Sequence, residues 1–122
     1  MTFVLAKQGD TVHVTVAGTL NVNNRQEFKL LLLDEIARGR QQFRIDFRKT
    51  NYIDSSGLGV LVSLAKAARS RGGELRIANL NADLRTLFEL TKLDTMFRIE
   101  TDEGDSPAGQ SARAPTPPPG AR

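Results

Sequence analysis

The sequence contains no cysteine and a single histidine, and all five of its prolines fall after residue 106. Without cysteine there is no disulfide framework and no thiolate nucleophile. The lone His13 leaves no second imidazole to complete a metal site. No apolar run approaches the about 20 residues that a membrane-crossing helix needs. The opening Met1-Thr2-Phe3-Val4-Leu5-Ala6-Lys7 lacks the basic start and long apolar core of a secretory signal. These absences point to a soluble, cytoplasmic protein with no membrane span. Its 122 residues suit one domain, large enough to bury a core without a metal or disulfide staple.

Catalytic signatures are missing as well. Ser55 and Ser56 are the candidate nucleophiles, but they do not sit in a G-x-S-x-G elbow, and His13 belongs to a different element. No glycine-rich loop ends in Gly-Lys-Ser/Thr, and Val62 occupies the position where a dinucleotide fingerprint requires its third glycine. Asp34 and Glu35 are neighbours on one helix rather than a facing acid pair. The pattern argues against an enzyme and implies no cofactor and no metal. Seventeen basic residues stand against fourteen acidic ones, a net charge of +3, and the two signs alternate along the chain. That is not the clustered basic face of a nucleic-acid binder, so no direct DNA binding is expected.

Read in order, 3–7 and 11–17 are strands joined by the turn Gln8-Gly9-Asp10. In the second, Val12, Val14 and Val16 alternate with His13, Thr15 and Ala17, the period of a half-buried strand. A loop over 18–24 follows, and Asn24 with Glu27 makes a capping-box-like start to a helix ending near Arg38. The strand 42–48 alternates Phe43, Ile45 and Phe47 with Arg44, Asp46 and Arg48, so one sheet face is apolar and the other charged. Helices on mainly one face satisfy that pattern.

Next comes Asp54-Ser55-Ser56-Gly57-Leu58-Gly59, a tight polar turn from strand to helix. Asp54, Ser55 and Ser56 all suit a helix N-cap, and Gly57 and Gly59 keep bulk away from the first turn. The turn is either a well-capped helix start and nothing more, or the seat of a phosphate group favoured by the helix N-terminus. The helix runs from about 57 to 71, with Leu58, Leu61, Val62, Ala65 and Ala68 on one face. A second stripe, Val60, Leu64 and Ala67, packs on a neighbouring helix or serves a partner. A strand at 74–78, a helix capped by Asn81 and a last strand at 95–100 complete the order β-β-α-β-α-β-α-β. The expectation is an α/β domain over 1–100, a mixed and mostly parallel sheet of four to five strands. Residues 101–122 hold every proline and only alanine as apolar matter, the composition of a disordered tail.

Tyr52-Ile53-Asp54-Ser55-Ser56-Gly57-Leu58-Gly59-Val60-Leu61, followed by Arg71-Gly72-Gly73 and a strand, resembles the STAS domain of bacterial anti-sigma factor antagonists. Leu84-Arg85-Thr86-Leu87-Phe88-Glu89-Leu90-Thr91-Lys92-Leu93 is similar to a later segment of the same family. The resemblance covers residues 3–100 and implies a STAS-like fold. It implies that Ser55 is phosphorylated by a partner that is both anti-sigma factor and serine kinase, with the ATP-binding fold of histidine kinases. The unphosphorylated form would bind that partner and free a sigma factor, and a metal-dependent serine phosphatase would reset it. Asp54 then positions the serine and Ser56 is a second cap, with Gly57, Leu58 and Gly59 completing the phosphosite loop. Asn21, Val60 and Leu64 fall to partner binding.

The chain departs from the family at Thr19 and Asn21, where acids are common, and at Lys92, where glycine is common. The missing acids leave room for an alternative, a STAS scaffold that is never phosphorylated, or a cytoplasmic subunit of a multi-protein or transport complex.

Overall fold

A strand turns every second side chain to the same face, so alternating valine, isoleucine and phenylalanine give a sheet with one buried side. The computed structural model describes residues 2–101 and builds from that alternation a mixed six-stranded sheet with three helices. In chain order the elements are β1 (Thr2–Gln8), β2 (Thr11–Leu20), α1 (Arg25–Ala37), β3 (Gln42–Asp46), β4 (Thr50–Ile53) and α2 (Ser55–Ser70). Then come β5 (Glu74–Ala78), α3 (Ala82–Leu90), a 3₁₀ turn at Leu93–Thr95 and β6 (Arg98–Glu100). The strand order is β1-β2-β3-β5-β6, antiparallel in the β1–β2 hairpin and parallel elsewhere. The expected disordered tail lies outside the described residues.

Val12, Val14 and Val16 of β2, Phe43 and Ile45 of β3, and Leu75 and Ile77 of β5 form the floor of the core. Phe28, Leu32 and Ile36 of α1, Leu58, Leu61, Ala65 and Ala68 of α2, and Leu84 and Phe88 of α3 close over it. The other sheet face carries His13, Thr15, Arg44, Asp46 and Arg76, all partly exposed. One-sided coverage by helices is what the strand alternation required.

Two features depart from the sequence reading. The sheet gains a strand, because the chain turns at Arg48 and Lys49 and then resumes its path beside β2 as β4. Thr50 N–H donates to Phe47 O at 3.0 Å, Gly18 N–H to Lys49 O at 3.0 Å, and the Thr50 hydroxyl to Val16 O at 2.6 Å. The register shifts between Gly18 and Thr19, where Gly18 takes φ 101, a left-handed value that glycine adopts freely. β2 therefore continues to a buried Leu20 through what reads locally as a loop.

The second departure is a correction to the partner surface. Leu64 is wholly buried and Val60 is 5% exposed, because α1 packs alongside α2. Of the two roles open to that stripe, helix packing is the one the fold uses, and neither residue offers a face to a partner.

Candidate functional site

The site lies where β4 passes into α2, and one carboxylate organises it. Asp54 is extended (φ −85, ψ 178) and stands at the N-cap, with Oδ1 accepting from the Gly57 N–H at 2.9 Å. Its Oδ2 accepts from the Val22 N–H at 3.2 Å, and its own N–H donates to Leu20 O at 3.0 Å. A single side chain thus satisfies an orphan donor of the helix and ties the β2–α1 loop to it.

Ser55 is the first residue of α2, exposed, and among the described residues none hydrogen-bonds its hydroxyl. Ser56 is half-buried in the same turn and does not share the cap, which Asp54 takes alone. The helix accordingly begins two residues earlier than its apolar periodicity suggested.

Gly57 and Gly59 separate into different roles. A Cβ on Gly57 would fall 2.8 Å from Ile53 Cγ2 and 3.0 Å from the Leu20 carbonyl oxygen, so this glycine lets α2 settle onto the strands. A Cβ on Gly59 would meet nothing within 4 Å, and Gly59 is exposed. Leu58, expected in the phosphosite loop, is a core residue at 8% exposure.

The neighbouring loop is held by its asparagines. Asn21 Oδ1 accepts from the Asn23 N–H at 2.9 Å, Asn24 Oδ1 accepts from the Asn21 N–H at 2.9 Å, and Asn24 Nδ2 donates to Thr19 O at 2.8 Å. Asn24 is spent on that loop, so the capping box expected from its spacing with Glu27 does not form. Asn21 remains partly exposed, with its side-chain oxygen committed inside the loop.

The structure also exposes two residues that the sequence reading left out of the site. Val22 is 57% and Tyr52 52% exposed, and they flank Asp54 from the loop and from β4. Alternation alone does not single out Tyr52, because β4 buries Thr50 and Ile53 and exposes both Asn51 and Tyr52 between them. His13 is not brought to Ser55. It lies on the sheet face away from the helices, in register with Arg44, well before the Gly18–Leu20 stretch of β2 that pairs with β4.

This geometry provides an accessible hydroxyl at a helix N-terminus, beside unpaired N–H groups and a cap carboxylate, between two exposed apolar side chains. It suits an anionic group held at or attached to that hydroxyl. Residues 2–106 match the STAS domain model. The anti-sigma-B factor antagonist of Listeria monocytogenes is 35% identical over 101 residues, covering 81% of this chain and 89% of that protein. A solved candidate anti-sigma factor antagonist from Thermotoga maritima superposes with a TM-score of 0.77 at 28% identity, over 80% of this chain and 85% of that one. The Bacillus cell-fate determinant SpoIIAA in its phosphorylated form shares the fold, with a TM-score of 0.68 at 19% identity over 83% of this chain and 93% of that one.

Proposed function

This chain belongs to the STAS-domain family of anti-sigma factor antagonists, and from that footing we propose that it is a binding module switched by phosphorylation at Ser55. The unphosphorylated form binds an anti-sigma factor that is also a serine kinase, with a histidine-kinase-like ATP-binding fold, and so frees a sigma factor. A metal-dependent serine phosphatase restores the binding form. The chain itself catalyses nothing, holds no cofactor and works in the cytoplasm.

The observation that carries the reading is the exposed, uncommitted Ser55 hydroxyl beside the Asp54 cap. Phosphorylation adds about −1.5 to −2 charges there. In water, with the helix N-terminus behind it, that charge is tolerated. Under a partner packed over Val22, Asn23, Tyr52 and the bare backbone at Gly59, the same dianion is desolvated next to Asp54, which disfavours the complex. The switch therefore needs no rearrangement of the fold, and the fold of SpoIIAA accommodates a phosphorylated form.

The test is capture of partners from host lysate by wild type, Ser55→Ala and Ser55→Asp, followed by phosphorylation with the captured kinase. A histidine-kinase-fold protein held by wild type and Ser55→Ala, lost by Ser55→Asp, and unable to phosphorylate Ser55→Ala is the expected result. Phosphate still incorporated into Ser55→Ala would move the site to another residue, Ser56 first. Transport subunits or large assembly proteins captured equally by all three would replace the switch with a constitutive scaffold.

A further inference from the structure

The two ends of the strand order β1-β2-β3-β5-β6 are finished in opposite ways. β6 is three residues long, carries Arg98 and Glu100, and so offers little template for another strand. β1 is seven residues long and paired residue for residue with β2 from Thr2 to Gln8. It contains one charge, Lys7, and no proline, and among the described residues no element pairs with its outer side. Such an edge presents a regular row of unpaired backbone groups.

The helix above this edge leaves leucine at its surface. Across the four consecutive leucines at 30–33 of α1, Leu32 is buried, Leu31 and Leu33 are partly exposed and Leu30 is 56% exposed. α1 lies over β1, with the Phe28 and Phe3 ring centroids 5.2 Å apart and Glu35 Oε1 3.5 Å from Lys7 Nζ. Leu31 falls between those two contacts, and the exposed Glu27 and Arg38 lie towards the two ends of α1. Below the sheet, Val4 is 54% exposed.

We propose that β1 is the interface of a two-fold homodimer, in which it pairs antiparallel with β1 of a second copy about an axis at Leu5. A second copy is the occupant because an antiparallel strand is its own complement under a two-fold axis, giving every residue the same environment on both sides. Centred on Leu5, Lys7 stands opposite Phe3 and Val4 opposite Ala6, so no like charges meet. In the helix layer the same axis runs the two α1 helices antiparallel. Leu31 lies near its own copy, and the Arg38 end of each helix faces the Glu27 end of the other. The six-stranded sheet thereby becomes one sheet running through both protomers.

The test is sedimentation velocity of the full chain from micromolar to near-millimolar concentration. Wild type is expected at twice its 13.4 kDa, dissociating on dilution. Val4→Lys with Ala6→Lys changes two exposed side chains and leaves the monomer folded by circular dichroism, but places lysine opposite lysine across the axis. The dimer is lost. Val4→Lys with Ala6→Glu replaces that repulsion with two ion pairs at the same positions, and the dimer returns. Wild type monomeric throughout, or a dimer indifferent to the double lysine variant, would overturn the interface. Failure of the Lys/Glu variant to dimerise would overturn the axis at Leu5.

Discussion

A Cβ added at Gly57 presses on Ile53 and Leu20, whereas one added at Gly59 enters open space. The two residues are indistinguishable in the sequence, because what separates them is Leu20, brought in from another strand. Gly57→Ala is expected to destabilise the fold by about 1–3 kcal/mol through overpacking, read as a lower urea midpoint. Gly59→Ala is expected to stabilise by about 1 kcal/mol, since alanine restricts the unfolded chain and favours the helix. If the partner seats against the Gly59 backbone, the same substitution weakens partner capture while raising the melting temperature. Unchanged capture would show that the partner keeps clear of this turn. Asp54 was legible without the fold as one of three candidate caps, because N-capping is a local chemistry of short side chains and the next few amides, and the fold selected it over Ser55 and Ser56. The outward placement of Val22 and the burial of Leu58 needed the strands and the loop in place.

At the scale of elements, helix ends were the least legible feature, since several side chains compete for the same orphan groups. Asn24 has the spacing of a cap, but Thr19 O and the Asn21 N–H claim its amide first. Asn81 had no such competitor, and it caps α3 as expected through the Leu84 N–H at 2.8 Å. At the other end of α3, Lys92 adopts φ 65 and ψ 13, a left-handed conformation that costs a side-chain-bearing residue about 1–2 kcal/mol. Lys92 is also exposed, so little packing opposes a change. Lys92→Gly is expected to raise stability by about 1 kcal/mol in urea denaturation. No gain would show that the lysine side chain offsets its backbone strain.

Across the whole molecule, the open sheet face is tied together by charge. Arg44 Nε of β3 donates to Glu100 Oε1 of β6 at 2.8 Å, and Arg76 Nη1 of β5 donates to Oε2 at 3.3 Å. Partial burial pushes the Glu100 carboxyl up, but the Arg44 hydrogen bond and the charges of Arg76 and Arg44 together hold its pKa below the ordinary 4.5. A carboxylate favoured in the folded state contributes stability that is complete above its unfolded pKa and fades as pH falls through the folded one. Glu100→Gln is expected to cost about 1 kcal/mol at neutral pH and to flatten the acid limb of the stability curve below pH 4.5. An acid limb as steep as that of wild type would assign acid sensitivity to other carboxylates.

The sequence by itself determined the one-sided sheet, because the face that each residue of a strand takes depends only on its place in the alternation. It offered Asp54 as one of three candidate caps, and the fold chose Asp54 and started the helix at Ser55, two residues earlier than the apolar periodicity suggested. Tertiary structure decided the rest. It carried β2 through Gly18 to pair with β4, since that pairing joins segments far apart in the chain and needs a left-handed residue at the register shift. It sent Val60 and Leu64 into the core, because a second apolar stripe on a helix is surface or interior only according to what packs beside it. Here that neighbour is α1.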